Sequence, residues 1–302
     1  MSEHINRKEF LIKTLSGVAA LGFIPGQINI DNQEGVGPRK LGNTGIKVIP
    51  LCFGAPRTND ESLIKYSVEK GLSFIDTGRS YGNGNNEKLV GRAISGSRKS
   101  VVIQSKIKLE MAELPSKGKG KKGAEEIRYA LSSKLEAGLK AINSDYFDIL
   151  LYHDGADENL LFHNETLKFF DDMKRSGKIK AHGFSTHNDC MNLLSMNNSE
   201  GFYDVIMIPF NHKGSFTHSL SGSYSEWDQG KLISILTEAG EKGKGVIAMK
   251  TCSGGPYSPA AGIGPGYMEA VKWVLQHNFI SSAAVAMSSF EQVNEHLPLL
   301  KV

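Results

Sequence analysis

Short apolar runs alternate with amphipathic stretches along the chain from residue 38 onward. The apolar runs lack the strict alternation of a half-exposed strand, which is typical of parallel strands buried on both faces. They predict strands at residues 48–55, 72–78, 100–107, 146–153, 179–186, 203–211, 245–251 and 282–287. The stretches after them have helical periodicity and predict helices at residues 59–71, 84–95, 123–142, 165–177, 189–196, 231–243, 266–278 and 291–300.

This succession of strand–helix pairs predicts an α/β fold with parallel strands and right-handed crossovers. Because the pairs account for residues 36–302 and leave no further domain, closure into a (β/α)8 TIM barrel is favoured over an open doubly wound sheet. The first strand is not followed by the Gly-x-Gly-x-x-Gly pattern of a Rossmann domain, which supports the same choice. Two short runs around Asn43-Thr44-Gly45 predict an N-terminal β-hairpin ahead of the barrel.

Residues 1–35 have a different pattern. A basic start at residues 6–13 precedes an apolar run at residues 14–26, which is shorter than the roughly 20 residues of a membrane span. The pattern resembles a twin-arginine export signal in which Lys8 takes the place of the second Arg. We therefore expect an export-signal-like leader and linker, and an exported or periplasmic protein that engages the export machinery. The alternative is an amphipathic extension on a cytoplasmic protein.

Composition and charge narrow the class of partner. The chain is 40% hydrophobic and 22% charged, with a formal net charge of +3, which is an ordinary globular balance and indicates no nucleic-acid partner. Part of the positive charge lies in the run KGKGKK at residues 117–122, which predicts a solvated loop, or alternatively a patch for phosphates or an acidic partner. Cys52, Cys190 and Cys252 form no metal-type C-x-x-C pair, so free thiols are expected.

Four polar side chains follow the ends of three consecutive predicted strands. Asp76 closes the second strand, Tyr81 follows in its loop, Lys106 ends the third strand and His153 ends the fourth. In (β/α)8 barrels the active site lies at this end of the strands. Taken singly, each residue has an ordinary structural reading, such as a helix cap, a packed rim residue or a structural donor. Lys106 is the exception, because a lysine beside an apolar core is rarely unpaired, and Asp76 is its natural counter-ion.

This pairing predicts a proton-transfer site. A nearby ammonium group lowers the pKa of a phenol, so Tyr81 would become a general acid tuned by Lys106, while His153 orients a substrate oxygen. Such equipment suits carbonyl reduction, and no Ser–His pair at an elbow motif indicates acyl transfer. A metal-dependent hydrolase using His153, Asp154, His182 and His187 is a further alternative. It is disfavoured because adjacent strand residues point to opposite sides.

The segments FIDTGRSYGNGNNEKLVGRAI, QSK, DYFDILLYH and GFST together resemble the aldo-keto reductase family over about residues 38–300. The resemblance implies a barrel that uses NADPH, or alternatively NADH, to reduce aldehyde or ketone carbonyls to alcohols. It also implies that Tyr81 is the proton donor of a catalytic tetrad with Asp76, Lys106 and His153. The alternative is a non-catalytic NADP(H)-binding regulatory or interaction protein on the same fold.

The resemblance also implies a set of cofactor-binding positions, namely Gly54, Ser185, Lys250, Thr251, Ser288, Gln292 and Glu295. Several positions depart from the family pattern. Thr186 and His187 replace an Asn, Met207 replaces a Gln, and Met249 stands where an aromatic residue usually stacks on the nicotinamide. Ser289 replaces a basic residue that pairs with the 2′-phosphate, so a preference for NADP over NAD does not follow. Some relatives carry clustered cysteines for an iron–sulfur centre, and we expect neither that centre nor a metal here.

Substrate choice is expected to lie in the loops after the strands. These are residues 111–123, residues 211–230 with Phe216, Tyr224 and Trp227, and residues 252–266 with Tyr257. Aromatic residues in these loops suggest a small apolar or ring-bearing carbonyl substrate.

Overall fold

A computed structural model describes residues 37–155, 157–187, 190–218, 221–253, 255 and 266–301. The leader and linker predicted at residues 1–35 lie outside these residues, as does Tyr257. The described strands are β1 (Arg39–Lys40), β2 (Lys47–Val48), β3 (Leu51–Gly54), β4 (Phe74–Asp76), β5 (Val102–Ile107), β6 (Phe147–Tyr152), β7 (Ile179–Ser185), β8 (Val205–Pro209), β9 (Ser215–Thr217), β10 (Tyr224–Glu226), β11 (Gly245–Met249) and β12 (Ile280–Ala286).

Helices connect these strands. The described α-helices are α1 (Glu61–Glu69), α2 (Asn85–Ala93), α3 (Gly120–Ile142), α4 (Glu158–Leu161), α5 (Asn164–Arg175), α6 (Cys190–Glu200), α7 (Gln229–Glu241), α8 (Tyr267–Leu275) and α9 (Phe290–His296). The first begins where Asp60 accepts a hydrogen bond from the Ser62 backbone N–H, because an aspartate at the N-cap satisfies a donor that the helix leaves open.

The strands β3 to β8 with β11 and β12 close a parallel barrel in the order β11-β12-β3-β4-β5-β6-β7-β8. The predicted (β/α)8 TIM barrel is therefore confirmed. The register places Asp76 of β4 opposite Gln104 of β5, and Lys106 of β5 opposite Leu151 of β6. Because the strands are parallel and in this register, their carboxyl ends meet at one rim, where the candidate site lies.

The predicted N-terminal hairpin is also confirmed and forms from β1 and β2. Leu41 in its turn is fully buried and packs with residues of the barrel interior, including Cys52 and Phe74. The backbone N–H of Asn43 donates to the Gly243 carbonyl, just before β11 begins. The hairpin thus lies at the amino-terminal end of the barrel strands, opposite the rim with Asp76 and Lys106.

Loop structure differs from the sequence prediction at several places. The basic run at residues 117–122 is only partly a loop, because α3 begins at Gly120 and includes its last two lysines. The 211–230 stretch contains the antiparallel pair β9–β10. The predicted final helix ends at His296 and continues as a 3-10 turn, because Pro298 lacks the N–H that an α-helix requires.

Within the described part of the chain, no helix combines the length and apolarity needed to cross a bilayer.

A substitution at Gly183 measures how much the close packing of the barrel strands contributes to stability. A methyl group at this position would overlap the Val205 carbonyl of the neighbouring strand and approach Leu151 Cδ2 to 2.8 Å. Because backbone atoms cannot rotate away, we expect Gly183→Ala to lower the free energy of unfolding by at least about 2 kcal/mol in denaturant titration. Gly96→Ala is the control, since a methyl group there meets nothing within 4 Å, and it should stay within about 0.5 kcal/mol of wild type. Equal stability of the two variants would contradict the packing described.

Candidate active site

Lys106 and Asp76 form a buried ion pair at the carboxyl ends of β5 and β4. The Lys106 ammonium donates to Asp76 Oδ1 at 2.5 Å and to the Thr77 carbonyl at 2.9 Å, and the two side chains are 2% and 4% exposed. Burial acts to lower the pKa of Lys106, but the Asp76 and Tyr81 oxygens outweigh it, so the net pKa lies above its usual value. The site therefore holds a fixed positive charge that solvent does not screen.

Tyr81 and His153 lie over this charge. The Lys106 ammonium donates to the Tyr81 hydroxyl at 3.3 Å. The rings of Tyr81 and His153 meet edge to face, with centroids 5.5 Å apart. The structure thus brings together Asp76, Lys106, Tyr81 and His153, as the sequence predicted.

The predicted lowering of the Tyr81 pKa is wrong in its net direction. Burial raises the pKa of the phenol, and the Asp76 carboxylate acts in the same direction. The Lys106 charge does lower the pKa, as expected, but it does not overcome the burial. The phenol therefore keeps its proton over the physiological range, which suits a proton donor.

His153 is held neutral. Burial and then the nearby Lys106 charge lower the pKa of its imidazole to about 3. Ser80 Oγ lies 3.1 Å from Nδ1 of the ring, so this nitrogen has a hydrogen-bond partner on the protein side. A neutral imidazole with one nitrogen engaged can donate from the other without adding charge to the site.

The turn that carries Tyr81 is fixed by a second buried ion pair. Arg79 Nη1 lies 2.6 Å from Oε2 of Glu87, whose side chain is 0% exposed. The other oxygen, Oε1, accepts from Ser105 Oγ at 2.7 Å, on the strand that also carries Lys106. The Arg79 guanidinium occupies the space that a side chain at Gly84 would fill, and Gly84 has a φ of 82°. The clamp of Arg79 and Glu87 therefore ties the Tyr81 turn to β5.

Gln104 and Met207 lie beside the ion pair inside the barrel. Gln104 Nε2 donates to Asp76 Oδ1 at 2.6 Å and contacts Met207 Sδ at 3.3 Å. Asp76 Oδ1 therefore receives one hydrogen bond from Lys106 and one from Gln104. Gln104 was not identified from the sequence, where it reads as one polar residue inside an apolar strand.

A cavity of about 1300 Å³ opens above these groups. Its walls include Asp76, Lys106, Tyr81 and His153 together with five of the predicted cofactor-binding residues and the backbone of Gly54. Those five are Ser185, Lys250, Thr251, Gln292 and Glu295. Met207 and Met249 also line it, at two of the positions where the sequence departs from the family pattern. Asp76, Lys106, Tyr81 and His153 thus share one cavity with most of the predicted cofactor positions.

Ser288 is the one predicted cofactor position outside the described lining of this cavity. It is exposed, and its backbone N–H donates to Gln292 Oε1 at 2.8 Å. Ser289 caps α9, its hydroxyl accepting from the Gln292 backbone N–H. Arg57 is a further cation in the lining of the cavity. Burial and the Arg57 charge lower the pKa of Lys250, so these two cations share one part of the wall.

The aromatic residues of the 211–230 stretch do not support the predicted apolar substrate pocket. Phe216 is 3% exposed and packs under the Lys250 ammonium, 5.4 Å from the ring centroid. Tyr224 and Trp227 line a separate cavity of about 480 Å³. None of these three residues is among the described lining of the large cavity.

The four residues of the metal-dependent alternative do not come together. His182 stacks on Phe202, with ring centroids 4.7 Å apart, and lies 3.8 Å from Asp204, which precedes β8. His153 and Asp154 do both line the cavity, contrary to the expectation that they point to opposite sides. The reason is that β6 ends at Tyr152 and Asp154 adopts a left-handed φ of 54°, so strand alternation does not apply. Among described residues, no group of three His, Cys, Asp or Glu is placed to hold a metal ion.

The contribution of the Arg79–Glu87 ion pair to the free energy of unfolding can be measured by removing Arg79. Arg79→Met leaves the Glu87 carboxylate buried without its charged partner, so we expect a loss of about 3 kcal/mol in unfolding free energy. The double variant Arg79→Met/Glu87→Gln should recover part of that loss, because the amide carries no charge. Arg175→Met is the control, since the Arg175 side chain is 68% exposed and its ion pairs should contribute less than about 1 kcal/mol. Equal losses in the two single variants would show that Arg79 is an ordinary surface residue.

Comparison with known proteins found a matching family model and proteins of similar sequence. A model described as the aldo/keto reductase family matches residues 53–269. An uncharacterized oxidoreductase of Bacillus subtilis is 24% identical over 155 residues, and the match covers 49% of this chain and about half, 48%, of that protein. The L-galactose dehydrogenase of Arabidopsis thaliana is 25% identical over 300 residues, covering 86% of each chain.

Solved structures show the same fold. The holo form of an aldo-keto reductase from Bacillus halodurans superposes with a TM-score of 0.69 at 20% identity, covering 88% of this chain and 91% of that chain. An aldo/keto reductase from Klebsiella pneumoniae in complex with NADP and acetate has a TM-score of 0.64 at 20% identity, with 88% and 91% covered. Since the family model spans more than half of the sequence, the chain belongs to the aldo/keto reductase family.

Proposed function

We propose that this protein is an oxidoreductase that reduces aldehyde or ketone carbonyls to alcohols with hydride from NAD(P)H, with Tyr81 as the proton donor. One observation carries the proposal. The Lys106 ammonium contacts both Asp76 Oδ1, at 2.5 Å, and the Tyr81 hydroxyl, at 3.3 Å, at the wall of a cavity large enough for a cofactor and a small substrate. A phenol beside a buried cation is suited to protonating an oxygen that becomes an alkoxide.

The residues present fit a nicotinamide dinucleotide. The bare backbone of Gly54 lies against β12, where a Cβ would come within 3.0 Å of Ala286 Cα, and this close approach leaves the cavity wall free of a side chain. Lys250 and Arg57 supply positive charge for phosphate groups. Ser185 would hold the carboxamide, and Met207 and Met249 would form an apolar floor. When bound, the cofactor supplies the hydride.

In this proposal, residues of the chain orient the substrate and supply the proton. His153 donates from Nε2 to the substrate oxygen, because a Ser80 hydroxyl that donates to Nδ1 leaves the proton on Nε2. Tyr81 transfers its hydroxyl proton to the same oxygen as negative charge develops there. Lys106 stabilises the phenolate that remains, and Asp76 and the Thr77 carbonyl fix the position of its ammonium group.

A non-catalytic NADP(H)-binding protein on the same fold is the second candidate. Met207 and Met249 favour it, because both replace residues that the family uses at the nicotinamide. The two candidates separate cleanly in one measurement. An enzyme oxidises NADPH when aldehydes or ketones are added, whereas a binding protein retains the reduced cofactor without turnover.

Tyr81→Phe should abolish most turnover without weakening the cofactor complex. Loss of a general acid typically lowers kcat/KM by about 100-fold to 10,000-fold. The dissociation constant for NADPH, measured by fluorescence titration, should stay near that of wild type because the phenylalanine ring keeps the packing. Turnover retained in Tyr81→Phe would contradict the assigned role, and a large loss of cofactor affinity would show that Tyr81 acts in binding instead.

The pH dependence of kcat/KM for reduction should show no transition from titration of His153. Since burial and Lys106 lower the pKa of His153 to about 3, its charge does not change in the assay range. Since burial raises the pKa of Tyr81, the proton donor is lost only as pH rises above the ordinary tyrosine value of about 10. We therefore expect kcat/KM with saturating NADPH to be flat from about pH 6 to about pH 9. A decline centred near pH 6 to 7 would contradict the neutral state of His153.

A further inference from the structure

A cluster of polar side chains lines the substrate side of the cavity and has no role in the reaction just described. It consists of Lys108, Asp154, His187 and His218. These groups are close enough to the reacting residues to act on them electrostatically. Lys108, Asp154 and His187 all affect the pKa of His153, and Asp154 also affects that of Tyr81. The cluster also lines the same cavity as His153 and Tyr81, with His187 Nδ1 3.8 Å from Asp154 Oδ1 and the His187 and His218 ring centroids 5.6 Å apart.

Asp154 is held in its place by the backbone. It adopts a left-handed φ of 54°, which aspartate and asparagine tolerate better than most other residues. Its N–H donates to Ser185 Oγ at 3.3 Å, and the N–H of Gly155 donates to the Ser185 carbonyl at 2.8 Å. These bonds attach the turn after β6 to the end of β7. They fix the carboxylate beside His153 and not on the helix side of the barrel.

The Asp154 carboxylate is ionised and accessible. The neighbouring His187 imidazole lowers the pKa of the carboxyl group, although partial burial opposes it. His187 Nδ1 lies 3.8 Å from Asp154 Oδ1, which is longer than a direct hydrogen bond, and the Asp154 side chain is 43% exposed. An ionised carboxylate can only accept hydrogen bonds. The substrate groups that it can bind are therefore hydrogen-bond donors, such as hydroxyl groups.

Resting on the proposed function, we infer that Asp154, supported by His187, selects hydroxylated carbonyl compounds by accepting a hydrogen bond from a hydroxyl group near the carbonyl carbon. The natural substrate class is then small hydroxyaldehydes or hydroxyketones. A purely apolar carbonyl would leave a carboxylate in the cavity without a partner, and a hydrogen-bonding site of this kind discriminates strongly against such analogues. A carboxylate attached to the carbonyl carbon would be repelled by the like charge of Asp154.

Asp154→Asn tests this inference with matched substrates. D-glyceraldehyde and propanal have the same carbon chain and differ by two hydroxyl groups, and the loss of NADPH absorbance measures kcat/KM for both. Asparagine keeps the left-handed backbone but removes the charge. Because hydrogen bonds to charged groups are the stronger ones, we expect the ratio of kcat/KM for glyceraldehyde over propanal to fall about tenfold or more. Propanal has no hydroxyl group for Asp154 to bind, so its kcat/KM reports the effect of the lost charge on His153 and Tyr81 and is the reference in the ratio; circular dichroism checks that the variant is folded.

Two further measurements sharpen the result. Glyoxylate, an aldehyde bearing a carboxylate, should improve relative to propanal in Asp154→Asn because the repulsion is removed. His187→Gln should lower the glyceraldehyde-to-propanal ratio in the same direction, by a smaller factor. Asp157→Asn is the matched control, since Asp157 caps α4 outside the cavity lining and asparagine caps as well as aspartate. Its substrate ratio should equal that of wild type.

The outcomes separate this inference from the proposed function. If wild type reduces both aldehydes and Asp154→Asn leaves their ratio unchanged, the inference is overturned while carbonyl reduction stands. If Asp154→Asn lowers both rates equally, Asp154 is a structural residue and the inference also fails. If wild type oxidises NADPH with neither aldehyde, the proposed function falls and the substrate class falls with it.

Discussion

The buried ion pair between Lys106 and Asp76 is the interaction on which the site depends. Removing one member of such a pair leaves an uncompensated charge and typically costs about 3–5 kcal/mol. In this structure each charge keeps its partner and gains a second one. Gln104 also donates to Asp76 Oδ1, and the Thr77 carbonyl also accepts from the Lys106 ammonium. Because Asp76, Gln104 and Thr77 belong to β4, to β5 or to the residue after β4, the barrel wall itself holds the charge in place.

The rest of the site is built outward from β5. The Tyr81 turn is held to this strand by the Arg79 N–H, which donates to the Lys106 carbonyl, and by the ion pair of Arg79 with Glu87, which also accepts from Ser105. His153 N–H donates to the Ile107 carbonyl on the other side of the strand. A single strand thus positions the Lys106 ammonium, the Tyr81 turn and the His153 backbone. This explains how a turn with three left-handed residues, Gly82, Asn83 and Gly84, can present Tyr81 in one place.

The fold and the four central residues were readable from the sequence because both depend on simple periodicity. Buried parallel strands give continuous apolar runs, and a polar residue that ends such a run must lie at the carboxyl rim. The direction of the Tyr81 pKa was not readable, since it depends on how far burial outweighs the Lys106 charge. The orientation of the Asp154 side chain could not be predicted from the sequence either. Its left-handed φ is held by a hydrogen bond to Ser185, which lies on the next strand, β7. The sequence also could not show where the aromatic residues of 211–230 lie: Phe216 is buried under Lys250, and Tyr224 and Trp227 line the smaller cavity.

The distribution of charge around the cavity links the two halves of the proposed reaction. Arg57 and Lys250 line the cavity with most of the predicted cofactor positions, and the charge of Lys250 also reaches His218 in the cluster that contains Asp154. Burial lowers the pKa of His153 to about 3, and on this imidazole the positive charges of Lys106 and Lys108 act against the negative charge of Asp154. If Asp154 were uncharged, Lys106 and Lys108 would dominate the field beside His153, and an anionic carbonyl compound would be favoured. Under the proposed reaction, a turn residue would therefore govern substrate choice, while Asp76 and Lys106 lie at the strand ends.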